Sequence, residues 1–225
     1  MIYFTGDTHR QIGRFSSEFM SGENTWTNDD IIIVCGDFGY IFFDSIYEKN
    51  YLNELEKKPY TIAFVDGNHE NFPVLYSYPS EEWNGGIIHR IRKNVVHLTR
   101  GQVFTIQGKK IFTFGGAFST DRNMRILGNT YWEEEIPTEK EFEEGIKNLL
   151  KVDMKVDYVV THTIPKTLIE TVMRAKVPYE ERFLAGYLDR IMSEVKFTKW
   201  FFGHWHEDKI IHGKFYALLN NVEKA

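Results

Sequence analysis

The sequence predicts an α/β fold in which two packed sheets are covered by helices. Five short apolar runs have the composition of buried strands, and segments with helical spacing lie between them. The buried strands are predicted over residues 2–4, 31–35, 62–65, 158–160 and 200–202. An alternation of strands and helices that is followed by an antiparallel block is typical of two packed sheets with helices outside.

Four segments carry apolar residues at the spacing of helices that bury one face. These predicted helices cover residues 44–57, 139–150, 166–175 and 181–195. The second begins with a capping-box pattern, because Thr138 precedes Glu141 by three positions.

The antiparallel block covers residues 86–116 and contains four β-type runs separated by polar breaks. The runs lie at 87–91, 95–99, 103–106 and 110–114, and we predict that they form one antiparallel meander. Residues 210–216 predict a further hairpin that turns at Gly213.

Composition limits the domain organisation and the partners. A chain of 225 residues with 42% hydrophobic content suits a single domain over residues 1–225, whose core needs no disulfide, and Cys35 is the lone cysteine. The net charge of −5 disfavours binding to long nucleic acid. No apolar run approaches the roughly 18 residues of a membrane span, and the start lacks a signal-peptide pattern. We therefore expect a cytoplasmic protein without a membrane partner.

Each of the five predicted buried strands is followed by a residue type that can bind metal. Any one of these residues alone has a simpler structural explanation, but five strand ends carry them, and the carboxyl ends of strands are where functional groups gather. The residues are Asp7 and His9, Asp37, Asn68 and His69, His162, and His204 with His206.

This mixture of imidazoles and carboxylates predicts the kind of metal. It favours manganese, iron, zinc or nickel over calcium and magnesium, which prefer shells of oxygen atoms only. Two cations about 3.5–4 Å apart need an anion between them, and we assign Asp37 to that bridge. Gly6, Gly36, Gly67 and Gly203 precede ligands, so the backbone can turn sharply there.

The order and spacing of these blocks resemble the calcineurin-like metallophosphoesterase family. The matching blocks lie between positions 6 and 206: Asp7-x-His9, Gly36-Asp37, Gly67-Asn68-His69-Glu70, His162 and Gly203-His204-x-His206. The resemblance implies a four-layer α/β/β/α sandwich, made of two mixed β-sheets flanked by helices. It also implies two divalent metal ions, with manganese the first choice.

The resemblance assigns roles to the residues. One metal is implied at Asp7, His9, Asp37 and His206, and the second at Asp37, Asn68, His162 and His204. His69 is implied as the catalytic acid, which protonates the leaving oxygen while a metal-bridging hydroxide attacks phosphorus.

Departures from the family pattern bear on the substrate. The protein serine/threonine phosphatases of this family have two phosphate-binding arginines, where this sequence has Phe38-Gly39-Tyr40 and Asp66. We therefore expect hydrolysis of small or exposed phosphoesters, with monoesters and diesters both open. A nuclease of the same fold is the main alternative. A protein phosphatase is less favoured. A non-catalytic scaffold is also less favoured, because all eight positions for metal ligands and the proton donor carry the residue types that the family uses.

Arginines outside the family blocks are candidates for binding the substrate phosphate. Four arginines are considered: Arg10, Arg14, Arg122 and Arg125. Arg122 is preferred because it lies within residues 116–137, which resemble an active-site flap. The three consecutive glutamates at 133–135 are expected to be exposed to solvent. His89, His97 and His212 are expected to be structural.

Overall fold

The computed structural model describes residues 1–225, which form thirteen strands and five α-helices. The strands are β1 (Ile2–Thr5), β2 (Ile31–Cys35), β3 (Thr61–Val65), β4 (Ser80–Trp83), β5 (Gly86–Arg92), β6 (Val95–Leu98), β7 (Gln102–Ile106), β8 (Lys109–Phe114), β9 (Tyr158–Thr161), β10 (Lys199–Phe202), β11 (Lys209–Ile211), β12 (Phe215–Ala217) and β13 (Glu223–Lys224). The helices are α1 (Ile46–Glu56), α2 (Phe72–Ser77), α3 (Glu139–Leu150), α4 (Lys166–Thr171) and α5 (Arg182–Glu194).

The strands form two mixed sheets. The seven-stranded sheet has the order β13-β1-β2-β3-β6-β5-β4, with parallel pairing from β1 to β6 and antiparallel pairing at both sides. The six-stranded sheet has the order β11-β12-β10-β9-β8-β7, with parallel pairing from β12 to β8. The parallel strands of each sheet therefore end at a common edge, and the candidate site lies there.

Alternating residues of the strands build three apolar layers. In β2, Ile31 and Ile33 pack into the core between the sheets, whereas Ile32 and Val34 pack on the outer face under α1. The outer face of the six-stranded sheet packs against α3, α4 and α5. Two mixed sheets flanked by helices are thus the observed fold class, as the sequence predicted. The core between the sheets contains residues from β1 to Leu218. The single domain over residues 1–225 stays a prediction.

The predicted four-stranded meander is wrong, because the chain changes sheets in its middle. Strands β5 and β6 pair in the seven-stranded sheet, and β7 and β8 pair in the six-stranded sheet. The crossing contains Arg100, which is buried against Asp66, and Gly101, whose φ of +73° is in the left-handed region. A side chain on Gly101 would also meet the backbone of Gly145 at 2.8 Å. The chain passes from one sheet to the other where Arg100 pairs with buried Asp66. Local sequence does not reveal this pairing.

The helices and the last hairpin follow the sequence pattern more closely. Thr138 and Glu141 form the predicted capping box of α3, and β11 pairs with β12 as predicted. Helix α4 ends at Thr171, shorter than expected, and Arg174 has a left-handed backbone. Helix α2 and strands β4 and β13 were not predicted. None of the helices has both the length and the apolar character needed to span a bilayer. The cytoplasmic location stays a prediction.

Candidate metal centre

Two acidic and two imidazole side chains meet where β1, β2 and β10 end. Asp7, His9, Asp37 and His206 each offer a ligand atom, and these atoms lie within 4.8 Å of one another. The Nε2 atoms of His9 and His206 are 3.0 Å apart, and Nε2 of His9 is 3.7 Å from Oδ2 of Asp37. One cation fits among these four donors.

The other oxygen of Asp37 faces a second group of donors. Nε2 of His162 lies 3.2 Å from Oδ1 of Asp37 and 3.2 Å from Oδ1 of Asn68. The Asn68 amide donates to Oγ of Ser119 at 3.1 Å, which turns its oxygen toward His162. The His204 ring lies 4.9 Å from the His162 ring, centroid to centroid. Asp37 is therefore placed between the two groups of donors, with one oxygen toward each.

Asp7 provides a test of whether a cation fits here. Its Oδ1 accepts the backbone N–H of His204 at 3.0 Å, but its Oδ2 is buried and has no hydrogen-bond partner. A buried carboxylate oxygen without a partner is unfavourable unless a cation or a donor reaches it. The orphaned oxygen and the surrounding imidazoles thus fit a bound transition metal.

Two glycines are required by the close approach of the ligand loops. A Cβ on Gly67 would lie 2.2 Å from Oδ1 of Asp37, and a Cβ on Gly36 would lie 2.1 Å from Nδ1 of His162. Gly36 also has a φ of +89°, which other residues adopt with strain. The glycines that precede the ligands are therefore part of the site's construction.

His69 lies at the edge of this group. Its backbone N–H donates to Oδ1 of Asp37 at 2.8 Å, and its ring packs against Phe42 with centroids 5.8 Å apart. Nη2 of Arg125 lies 2.8 Å from Nε2 of His69, and Asp121 pairs with the same guanidinium at 2.8 Å. Because arginine only donates, Nε2 of His69 accepts in this arrangement.

A cavity of 490 Å³ opens above these residues. Its floor includes Asp37, Asn68 and His69, and its volume is in the range of small-molecule sites. Part of the predicted flap at 116–137 lines this cavity, as do α4 and the segment between α4 and α5. The lining residues are Thr120, Asp121 and Arg125 from the first segment, Ile169 from α4, and Ala175, Lys176, Pro178 and Glu181 from the segment that follows it.

A comparison with protein families decides the identity. The family model for calcineurin-like phosphoesterases matches residues 1–208 of the chain. The chain belongs to the calcineurin-like phosphoesterase family. The family consists of hydrolases that act on phosphoester bonds and use divalent metals. No match was found among curated proteins.

Burial and neighbouring charges set the protonation of the ligands in this phosphoesterase. Burial raises the pKa of Asp7 to about 7 and lowers the pKa of His9 to about 4 and that of His204 to about 3. Burial alone would lower the pKa of His162, but the negative charges of Asp37 and Asp7 have a larger opposite effect and raise that pKa to about 10. When no cation is present, His162 therefore holds a proton at neutral pH, whereas the neighbouring imidazoles keep the pKa of Asp37 well below its usual range, so that Asp37 stays ionised.

The orientation of His162 is fixed by a backbone carbonyl. Its Nδ1 lies 2.8 Å from the carbonyl oxygen of Cys35, which can only accept a hydrogen bond. Nδ1 therefore carries a proton, and Nε2 is directed at Asp37 and Asn68. Cys35 acts here through its backbone, and its thiol is buried.

Sequence reasoning missed the role of Glu70, although it is part of the family block. Its carboxylate accepts the backbone N–H groups of Phe38 at 2.7 Å and Gly67 at 2.9 Å. It thereby joins the loops that carry Asp37 and Asn68. Burial, together with Asp37, raises the pKa of Glu70 to about 8.

The structure separates the four candidate arginines. Arg125 lines the cavity, and exposed Arg10 lies near His9, over the ring of Phe43. Arg122 does not line the cavity, and its guanidinium pairs with Glu135 at 3.1 Å, so its contact with the substrate phosphate stays a prediction. Arg14 is buried and donates to the hydroxyl of Thr5 at 2.9 Å.

Two further expectations concern residues outside the cavity floor. The three glutamates at 133–135 are not all solvated, because Glu135 is fully buried and accepts from the backbone of Ser119 and from Arg122. His97 is buried and contacts Asp66 at 3.1 Å, and Nδ1 of His89 lies 2.9 Å from Nδ1 of His97. Both contacts favour the structural role expected for these two histidines.

Proposed function

We propose that this phosphoesterase hydrolyses small phosphoesters, with phosphodiesters among its substrates, and that it uses two divalent cations. The position of Asp37 carries the proposal, because its two oxygens face two separate groups of donors. One cation is assigned to Asp7, His9, Asp37 and His206, and the other to Asp37, Asn68, His162 and His204. Manganese is the first choice, and the donors also suit iron, zinc or nickel.

When bound, the cations supply Lewis-acid stabilisation of charge at phosphorus and lower the pKa of water. The protein supplies the remaining functions. We assign to His69 the delivery of a proton to the leaving oxygen from its ring. We assign to Arg125 a charge-assisted hydrogen bond to a phosphate oxygen, since its guanidinium lines the cavity beside His69.

The cavity and its surroundings favour small substrates. The positions where related protein phosphatases carry arginines are occupied by Phe38, which is fully buried, and by Asp66, which pairs with Arg100. A phosphoprotein would therefore lack two of its usual anchors here. The net charge of −5 disfavours nucleic acid as the main substrate.

The test is a metal and substrate screen of the purified protein. The protein is stripped with a chelator, reloaded with manganese, nickel, iron or zinc, and assayed on aryl phosphate monoesters and diesters and then on nucleotides. We expect metal-dependent turnover of at least one aryl diester, with manganese supporting it. Folded protein that turns over nothing with any metal, or that hydrolyses phosphoserine proteins but no diester, would reject the proposal.

A further inference from the structure

A second, smaller cavity also borders His69. It has a volume of 170 Å³ and is lined by His9, Arg10, Gly39, Phe42 and His69. His69 also lines the 490 Å³ cavity, so the same imidazole borders both spaces. The smaller cavity is below the usual size of a whole ligand site, and it suits a single substituent.

The wall of this cavity is held in an unusual backbone conformation. His9 and Arg10 have φ values of 43° and 53°, which non-glycine residues rarely adopt. Their backbone N–H groups donate to the carbonyl oxygens of Asp37 at 2.9 Å and Phe38 at 3.2 Å. A Cβ on Gly39 would lie 3.0 Å from the backbone nitrogen of Arg10, so glycine permits this contact. Strained backbone that the surrounding structure maintains is concentrated at functional sites.

Arg10 presents free hydrogen-bond donors at this cavity. Its guanidinium lies 4.4 Å from the ring centroid of Phe43 and 5.7 Å from that of Phe42, and its side chain is exposed. It pairs with no carboxylate, whereas Arg122 and Arg125 are paired with Glu135 and Asp121. A guanidinium that packs its face on a ring keeps its N–H groups directed outward in its plane. Such a group binds an anion by charge-assisted hydrogen bonds.

A phosphodiester carries two organic substituents at phosphorus, and two cavities border His69, beside which the scissile position is proposed. On the basis of the proposed function, we propose that the smaller cavity holds one of these two ester arms. We further propose that Arg10 selects an arm that carries a second negative charge, such as a carboxylate or a phosphate. Phe42 supplies the apolar surface of the same cavity.

The test compares two diesters that differ in one charged group. The substrates are 4-nitrophenyl phenyl phosphate and 4-nitrophenyl 4-carboxyphenyl phosphate, assayed with the manganese-loaded protein. The variants are Arg10→Gln, which removes the charge, and Arg10→Lys, which keeps it. Arg182→Gln is the matched control, because Arg182 also lies over an aromatic ring, that of Tyr179, but faces the groove between α3 and α5.

We expect Arg10→Gln to reduce kcat/KM for the carboxyphenyl diester about tenfold more than for the phenyl diester, mainly through KM. Arg10→Lys should recover much of this discrimination, and Arg182→Gln should change neither substrate. An active wild type in which Arg10→Gln lowers kcat/KM for the two diesters by the same factor would reject this inference alone. A wild type that hydrolyses no phosphoester would reject the proposed function, and this inference with it.

Discussion

Nη2 of Arg125 lies 2.8 Å from Nε2 of His69, so a permanent cation contacts the residue that we assign as proton donor. Burial lowers the pKa of His69, and Arg125 adds to that effect. The ring is therefore neutral while this contact persists. A substrate phosphate that binds the guanidinium of Arg125 would draw it away from Nε2 of His69, which could then take up a proton. Substrate binding would thereby favour the protonated form of His69 that the proton transfer requires.

Arg125→Gln should lower kcat/KM by about 10–100-fold and leave metal content unchanged, since a hydrogen bond to a charged group contributes roughly 1.5–3 kcal/mol. Arg122→Gln is the matched comparison. It should instead lower the free energy of unfolding by about 1–3 kcal/mol, because buried Glu135 loses its guanidinium partner. Steady-state kinetics and denaturant unfolding of both variants check this. A larger kinetic defect in Arg122→Gln than in Arg125→Gln would contradict the assignment.

Metal binding should release protons near neutral pH. Burial raises the pKa of Asp7 to about 7, and Asp37 raises that of His162 to about 10 against the effect of burial, so both hold protons in the metal-free protein. A cation must displace them, and metal affinity should therefore rise as the pH increases from 5 to 8. Calorimetric titration with manganese in buffers of different ionisation enthalpy should give about one to two protons released at pH 7. Metal binding without proton release at pH 7 would rule this out.

Gly67→Ala should weaken metal binding and destabilise the protein by about 1–3 kcal/mol, because its Cβ would overlap Oδ1 of Asp37. Gly186→Ala is the control. Gly186 lies within α5 with no atom within 4 Å of an added Cβ, so alanine there should stabilise the protein by about 0.5–1 kcal/mol. Thermal unfolding with and without manganese separates the two effects. Equal behaviour of the two variants would show that the close approach at Gly67 is unimportant.

Arg100→Ala should destabilise the protein by about 3–5 kcal/mol, because it leaves the buried carboxylate of Asp66 without its guanidinium partner. The comparison is Arg90→Ala, whose partner Glu81 is exposed, with an expected change of about 0–1 kcal/mol. Both values come from denaturant unfolding. A loss below 1 kcal/mol for Arg100→Ala would show that the pair does not hold the crossing between the sheets.

Features that local sequence determines were predicted, and features that depend on distant partners were not. The run at β2 and the Gly36-Asp37 pair after it are local signals, because apolar composition marks the strand and glycine marks its end. The change of sheet at Arg100 depends on Asp66, which is 34 positions away. The burial of Glu135 depends on Arg122 in the same way, so composition alone suggested a solvated residue.

The roles of Asp37 and His69 can be separated by mutation, because only one of them is placed between the two groups of donors. Asp37→Ala removes an oxygen from each group, so metal content and turnover should both collapse. His69→Gln should keep near-normal metal content while turnover falls by about 10²–10⁴-fold. The defect should be larger for alkyl esters than for nitrophenyl esters, whose leaving group needs no proton.

The most direct measurement is metal stoichiometry by elemental analysis of wild type, Asp37→Ala and His69→Gln after manganese loading, with turnover on both ester types. We expect two metal ions per chain in wild type and in His69→Gln, and near-complete loss in Asp37→Ala. Full metal content in Asp37→Ala, or metal loss in His69→Gln as complete as in Asp37→Ala, would contradict the proposed dinuclear centre and the role of His69 beside it.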